Sequence, residues 1–129
     1  MNCLLDTCAL LWLVNGDPQL TARARQAITA SQATVYLSVL AAAELSIKVG
    51  KGRIKLTQPV QQWVEDAVRL HHLTLLPLEL GPAAAAGLLP WIHSDPFDRI
   101  LIATARHHSL AIITSDETIP KYPGAKTIW

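Results

Sequence analysis

Four acidic side chains stand where this sequence could support metal chemistry: Asp6, Glu44, Asp98 and Asp116. Three of them close predicted strand-to-helix or strand-to-turn junctions, and the carboxyl ends of strands in an α/β sheet converge at one edge. Burying unpaired carboxylates is costly, and no lysine or arginine is well placed to neutralise all four. A hard cation such as Mg²⁺ prefers oxygen ligands. The pattern therefore predicts a metal-dependent enzyme that cleaves phosphodiester bonds.

The first and last of these acids also have simpler explanations. Asp6 and Asp116 each follow a predicted strand, where Asp is a favoured helix cap or turn residue. Position alone favours capping over catalysis for both. Their neighbours Thr7 and Ser115 could orient a water molecule or bond a carboxylate, although each also makes sense as a cap or turn residue. We predict the supporting role for both.

Glu44 is predicted on a helix, on the same stripe as Leu40 and Ile47. At 100° per residue this stripe should point toward the body of the protein. The simpler alternative is an ion pair with Lys48, four residues later. Such a pair contributes only about 0.2–0.5 kcal/mol on a surface helix, which is little reason to bury a carboxylate.

Asp98 lies within the apolar arc of its predicted helix. The apolar residues of this arc are Ile100, Leu101, Ile102 and Ala105. Arg99 and Arg106 are expected on the other side, so the neighbouring arginine should not neutralise Asp98. Asp95, one turn earlier, precedes Pro96 and has the better claim to the N-cap. We therefore predict chemistry for Asp98, and for Asp95 capping with a supporting contact to the site.

The remaining polar residues are assigned lesser roles. No histidine needs to act as a base, and all five are expected in solvated positions or near helix C-termini: His71, His72, His93, His107 and His108.

The densest basic stretch contains Lys48, Lys51, Arg53 and Lys55. A solvated turn is the simpler interpretation, but with an RNA substrate Lys48, Lys51 and Arg53 are the natural phosphate contacts.

Strands and helices alternate along the chain. Strands are predicted at 3–5, 34–37, 73–78 and 111–114, with a short fifth at 126–128. Helices are predicted at 8–14, 21–30, 39–49, 59–70, 81–89 and 97–107. This alternation is typical of an α/β fold with an open, mainly parallel sheet and helices on both faces.

Length and composition indicate one globular domain spanning residues 1–129, half of it hydrophobic and 16% charged. The net charge of +1 does not by itself indicate a nucleic-acid binder. Cys3 and Cys8 lack metal-binding spacing, which favours a reduced, cytoplasmic protein. No signal peptide is expected, and no membrane segment, since the longest apolar stretch, 9–14, is far below the ~20 residues that span a bilayer.

The predicted helix 8–14 carries more apolar surface than one core-facing stripe requires. Residues 10–14 are apolar without a polar break. We therefore predict that part of this helix, with Trp12, is covered by a second copy of the chain or by a partner protein.

The order of these motifs resembles the PIN-domain family, specifically the VapC-like toxins of bacterial and archaeal toxin–antitoxin pairs. The matching segments are Asp6-Thr7 after a strand, Ser38 to Glu44-Leu45, Asp95-Pro96-Phe97-Asp98-Arg99 running into Ile102-Ala103, and Thr114-Ser115-Asp116. The resemblance covers essentially the whole chain. It implies an α/β/α sandwich and an endoribonuclease that depends on Mg²⁺ or Mn²⁺ held by the four acids. It also implies a homodimer and an antitoxin that occludes the site.

Other acid-bearing α/β classes fit less well. A phospho-accepting receiver domain needs an adjacent acidic pair after its first strand, where this chain has Asp6-Thr7. A haloacid-dehalogenase-type phosphatase needs a second aspartate where Cys8 stands. The remaining alternative is a non-catalytic PIN-like scaffold that binds RNA or protein.

Overall fold

Five parallel strands form the centre of the protein, described here by a computed structural model of residues 1–129. The strands are β1 (Cys3–Leu5), β2 (Val35–Ser38), β3 (Thr74–Leu76), β4 (Ala111–Ile113) and β5 (Lys126–Ile128). Their order in the sheet is β3-β2-β1-β4-β5, and every neighbouring pair is parallel. The predicted α/β fold with a parallel sheet is confirmed.

Six helices connect the strands. They are α1 (Thr7–Asn15), α2 (Ala22–Thr29), α3 (Leu40–Gly50), α4 (Val60–Leu70), α5 (Leu80–Ala86) and α6 (Pro96–His107), and a 3₁₀ turn covers Ile119–Lys121. Side chains cap three of the helices, as favoured N-cap residues do. Asp6 accepts a hydrogen bond from the Ala9 amide, Thr21 from the Ala24 amide and Asp95 from the Phe97 amide. None of the helices has the length and apolar character needed to cross a membrane.

The sheet buries a different core on each face. Because side chains alternate along a strand, Cys3 and Leu5 pack on one face and Leu4 on the other. The first face is covered by α1 to α4, and the second by α5, α6 and the 3₁₀ turn. This is a three-layer α/β/α arrangement, and it leaves the carboxyl ends of the strands open at one edge.

Two elements end two or more residues before their predicted ends. Strand β3 ends at Leu76 because Pro77 has no N–H to continue the ladder, which restricts proline to the margins of a sheet. Helix α5 begins at Leu80 and ends at Ala86, where Gly87 follows. The predicted continuation to Leu89 is wrong.

Part of the apolar surface of α1 is covered within the chain itself, and its cover by a second copy or a partner stays a prediction. Trp12 packs against Trp129 of the same chain, with ring centroids 5.4 Å apart. Leu11, Trp12 and Val14 all lie against the first core. The apolar side chains that remain most exposed are in and around α5 instead, where Leu80 and Leu88 are 85% and 86% exposed.

Candidate metal centre

The site lies at the carboxyl edge of the sheet, where β1 and β4 are neighbours. The chain order reverses direction between these two strands, and ligands of open α/β sheets bind at such a switch point. Asp6 follows β1 and Asp116 follows β4. The Asp6 amide donates to the Ile113 carbonyl at 3.1 Å, which ties the two strand ends together. Both acids therefore lie at the same crevice.

Asp6 performs the capping role that its position suggested. Its Oδ1 accepts a hydrogen bond from the Ala9 amide at 2.7 Å. Its carboxyl is also close enough to Glu44 and Asp116 for their charges to act on it. The cap thus fixes the side chain at the edge of the acid cluster.

Glu44 reaches the cluster from α3. The Thr7 hydroxyl donates to Glu44 Oε1 at 2.7 Å, and Lys48 Nζ lies 3.3 Å from Oε2. The predicted orientation of its helix stripe is wrong, because Ile47 is 44% exposed and the buried face of α3 is formed by Ala41 and Leu45. The carboxylate lies on the flank of α3, at the opening of the site.

Asp98 projects from the first turn of α6 toward α3. Glu44 and Asp98 both line one small pocket, together with Thr7, Ser38 and Phe97. The structure therefore brings Glu44 and Asp98 to the same cleft.

His93 is a site residue that the sequence analysis missed. Its Nε2 lies 3.0 Å from Asp98 Oδ2 and 3.2 Å from Asp116 Oδ2. Its Nδ1 accepts a hydrogen bond from the Asp95 amide at 3.2 Å, so the ring proton is on Nε2, facing the two carboxylates. The prediction of a solvated histidine is wrong here. The only signal in the sequence was its position, five residues before Asp98.

Arg99 holds the segment that carries His93. Its Nη1 donates to the His93 carbonyl at 3.0 Å, and Tyr122 Oη accepts from the His93 amide at 2.7 Å. The guanidinium also bonds the carbonyls of Leu89 and Pro90 and lies over the Trp91 ring. The partners of Arg99 are thus backbone carbonyls, Tyr122 and an aromatic ring, and no ion pair joins it to Asp98. Unlike Arg106, Arg99 is buried, with only 2% of its surface exposed.

The pKa values of two acids rise. Burial raises the pKa of Asp98 to about 7, and the charges of Asp95, Glu44 and Asp116 add to the effect while the contact with His93 lowers it. Burial is also the main cause of the raised pKa of Asp6, partly offset by hydrogen bonds to the Thr114 side chain and the Ala9 amide. The charges of neighbouring acids therefore add to the effect of burial at both Asp98 and Asp6.

Asp116 behaves differently. Burial, the largest single contribution, raises its pKa, but hydrogen bonds to Thr118 and to the His93 side chain together lower it below the usual value. The Thr118 amide donates to Asp116 Oδ1 at 2.7 Å. Asp116 is thus a carboxylate that stays ionised while Asp98 gains and loses a proton near neutral pH.

The remaining predicted residues differ in their exposure and in their hydrogen bonds. Ser115 is exposed and makes no side-chain hydrogen bond, whereas the preceding Thr114 contacts both strand-end acids. Asp95 caps α6 as predicted. Lys51 and Arg53 are exposed in the turn that follows α3.

The donor set fits a hard divalent cation. One carboxylate oxygen each of Asp98 and Asp116 and the His93 Nε2 lie within 4.8 Å of one another, and the Nε2–H donates to the two oxygens. Glu44 and Asp6 add carboxylates whose charges act on the same cluster. A bound cation would lower the pKa of Asp98 by offsetting the burial and the neighbouring negative charges that raise it. Fold and site together define a parallel α/β protein with a carboxylate-rich site at the edge of its sheet.

Comparisons with known proteins identify this class. The sequence profile of the PIN domain family matches residues 3–125. Ribonuclease VapC22 of Mycobacterium tuberculosis (strain ATCC 25618 / H37Rv) is 31% identical over 134 residues, covering 98% of this chain and 97% of that protein. The chain belongs to the PIN domain family, which confirms the resemblance seen in its motifs.

Solved structures share the fold. VapBC2 from Rickettsia felis, bound to a DNA fragment from its promoter, aligns with a TM-score of 0.73 and 18% identity, covering 98% of this chain and 97% of that chain. A toxin–antitoxin complex from Klebsiella pneumoniae aligns with a TM-score of 0.65 and 22% identity, covering 95% and 94%.

Proposed function

We propose that this protein is an endoribonuclease that depends on Mg²⁺ or Mn²⁺ and acts as the toxin of a toxin–antitoxin pair. The observation that carries this proposal is the convergence of Asp6, Glu44, Asp98 and Asp116 at the carboxyl edge of the sheet, with the pKa of Asp98 raised to about 7. Its similarity along nearly the full length to a ribonuclease of the same family supports the choice of RNA as substrate.

The four acids are the residues that would hold the cation, which would activate a water molecule and neutralise charge on the phosphoryl group. The chain's own polar residues position those acids. Thr7 fixes one oxygen of Glu44, and the Nε2–H of His93 faces Asp98 and Asp116. Thr114 orients the two strand-end acids.

Basic side chains beside the site are suited to the RNA backbone. Lys48 lies one turn after Glu44 and pairs with it, while Lys51 and Arg53 are exposed in the next turn. Contacts of this kind bind phosphate without reading the base sequence. We propose that these three residues guide RNA toward the acid cluster.

The proposed partners follow from the relatives. A toxin requires a cognate antitoxin that blocks its site, and the solved structures with this fold include a toxin–antitoxin complex. We also propose that the protein is cytoplasmic and forms a homodimer.

Incubating the purified protein with a total-RNA pool tests the activity. With Mg²⁺ or Mn²⁺, sequencing of the new RNA ends should reveal internal cleavage sites, and excess EDTA should abolish them. The Asp98→Asn protein, prepared in parallel, controls for contaminating nuclease. Cleavage that persists in EDTA or in the Asp98→Asn protein would contradict the proposal. RNA binding without cleavage would favour the non-catalytic scaffold.

A further inference from the structure

A second cluster of metal-binding side chains lies outside the acid site. Glu79, His107 and His108 place one ligand atom each within 4.8 Å of one another. His108 Nε2 lies 2.5 Å from Glu79 Oε1, and His107 Nε2 lies 3.8 Å from Oε2. The two imidazoles therefore face the two oxygens of one carboxylate.

The positions of these residues in the fold bring them together. Glu79 occupies the N-cap position of α5, yet its side chain makes no capping hydrogen bond and turns to the histidines instead. His107 is the last residue of α6 and His108 follows it. The cluster thus connects the beginning of one helix to the end of another, on the face of the sheet that α5 and α6 cover.

An ion pair between Glu79 and His108 explains only part of this arrangement. It needs one histidine, whereas the second histidine approaches the other oxygen of the same carboxylate. Metal–ligand bonds near 2 Å place neighbouring ligand atoms roughly 3 Å apart, which lies between the two observed distances. Small side-chain rotations would therefore form a three-ligand site, with further positions open to water.

The ligand types decide which metal the cluster would take. Two imidazoles and a carboxylate suit borderline ions such as Zn²⁺, Ni²⁺ and Co²⁺. Mg²⁺ prefers oxygen ligands throughout, as the acid cluster offers. The two sites should therefore differ in metal preference.

We propose that Glu79, His107 and His108 form a binding site for a divalent transition-metal ion, with Zn²⁺ as its natural probe. The bound ion joins the start of α5 to the end of α6. It acts apart from the acid cluster and does not depend on ribonuclease activity.

Calorimetric titration with Zn²⁺ tests this site in the Asp98→Asn/Asp116→Asn background, which disables the acid cluster. One equivalent of Zn²⁺ should bind. Glu79→Gln and the pair His107→Gln/His108→Gln should each weaken binding by more than about tenfold. Undiminished binding in these variants would overturn the proposal.

The chain provides a matched control in His71 and His72, an adjacent pair at the end of α4 that belongs to no such cluster. The change His71→Gln/His72→Asn should leave Zn²⁺ affinity unchanged. Asn suits position 72, where φ is 54°. Equal losses from the control and test pairs would mean non-specific binding by surface histidines, which also overturns the proposal.

A second measurement needs no substitution. In the wild-type protein with excess Mg²⁺, imidazole nitrogen NMR should show Zn²⁺ shifting the signals of His107 and His108 while those of His71 and His72 stay in place. Shifts confined to His93 would place the ion at the acid cluster and refute the second site.

Discussion

Burial raises the pKa of Asp98 to about 7, and this makes it the most informative single substitution. Asp98→Asn keeps the size of the side chain and removes its charge, so we expect RNA cleavage to be lost while the fold is retained. Asp95→Asn should reduce cleavage much less, because Asn caps a helix about as well as Asp. RNA cleavage assays and melting curves of both variants check this. An inactive Asp95→Asn with an active Asp98→Asn would reverse the assignment.

The raised pKa of Asp98 predicts how the metal-free protein responds to pH. The pKa is about 7 in the folded state, against an ordinary value of 3.8. Between these values the folded state holds a proton that the unfolded state has lost, so this group favours folding at low pH and opposes it increasingly as pH rises.

Asp98→Asn should therefore raise the melting temperature of the metal-free protein, by an amount that grows from about pH 4 to about pH 8. Melting curves in EDTA across this range, compared with wild type, measure the difference. A difference that is constant with pH, or that shrinks as pH rises, would show that the carboxyl of Asp98 is not destabilised when ionised.

His93 should affect metal binding. Its Nε2 contacts two of the proposed metal-holding acids, and removing such partners typically costs about 10–100-fold in metal affinity or activity. We expect His93→Ala to weaken Mn²⁺ binding by this order, measured by calorimetry. His71→Ala, which removes a histidine outside the site, serves as the control. Equal Mn²⁺ affinities in wild type and His93→Ala would show that His93 does not contribute to metal binding.

At the scale of elements, one buried arginine connects α6 to the segment before it. Arg99 donates to the carbonyls of Leu89, Pro90 and His93. Lysine retains the charge but not the planar fork that reaches several carbonyls at once. Arg99→Lys should destabilise the protein by roughly 2–4 kcal/mol, since hydrogen bonds to charged groups contribute about 1.5–3 kcal/mol each.

Denaturant unfolding measures this loss. Arg106→Lys is the matched control, because Arg106 is an exposed residue of the same helix and should tolerate the change. A change of less than roughly 1 kcal/mol for Arg99→Lys, the scale of a single neutral hydrogen bond, would mean that the hydrogen bonds of Arg99 add little stability.

Element boundaries were predictable where a local signal sets them. Asp95-Pro96 marks the start of α6, and β5 begins and ends where the sequence placed it. Sequence periodicity could not orient α3, because Ile47 and Leu45 are equally apolar and only the packed neighbours decide which is buried. The contact of Trp12 could not be predicted either, because the ring that packs against it belongs to Trp129, at the far end of the chain.

For the whole molecule, the parallel sheet and the approach of the acids followed from the order of motifs, because α/β topology brings strand ends to one edge. The contact of His93 with the acids did not follow. It depends on the buried Arg99 and on Tyr122, 29 residues away along the chain, and no periodic pattern links them. Long-range polar contacts of this kind became visible only in the folded protein.

The melting temperature with and without Mg²⁺ tests the metal site most directly, since it needs no substrate. For a dissociation constant of ~1 mM, ~10 mM Mg²⁺ should stabilise the fold by about 1.4 kcal/mol. For a chain of this length that corresponds to a rise of roughly 5 °C. Asp98→Asn should melt at or above the metal-free wild type, and Asp98→Asn/Asp116→Asn should lose most of the response to Mg²⁺. A wild type indifferent to both Mg²⁺ and Mn²⁺, or a double variant that responds as strongly, would contradict the account.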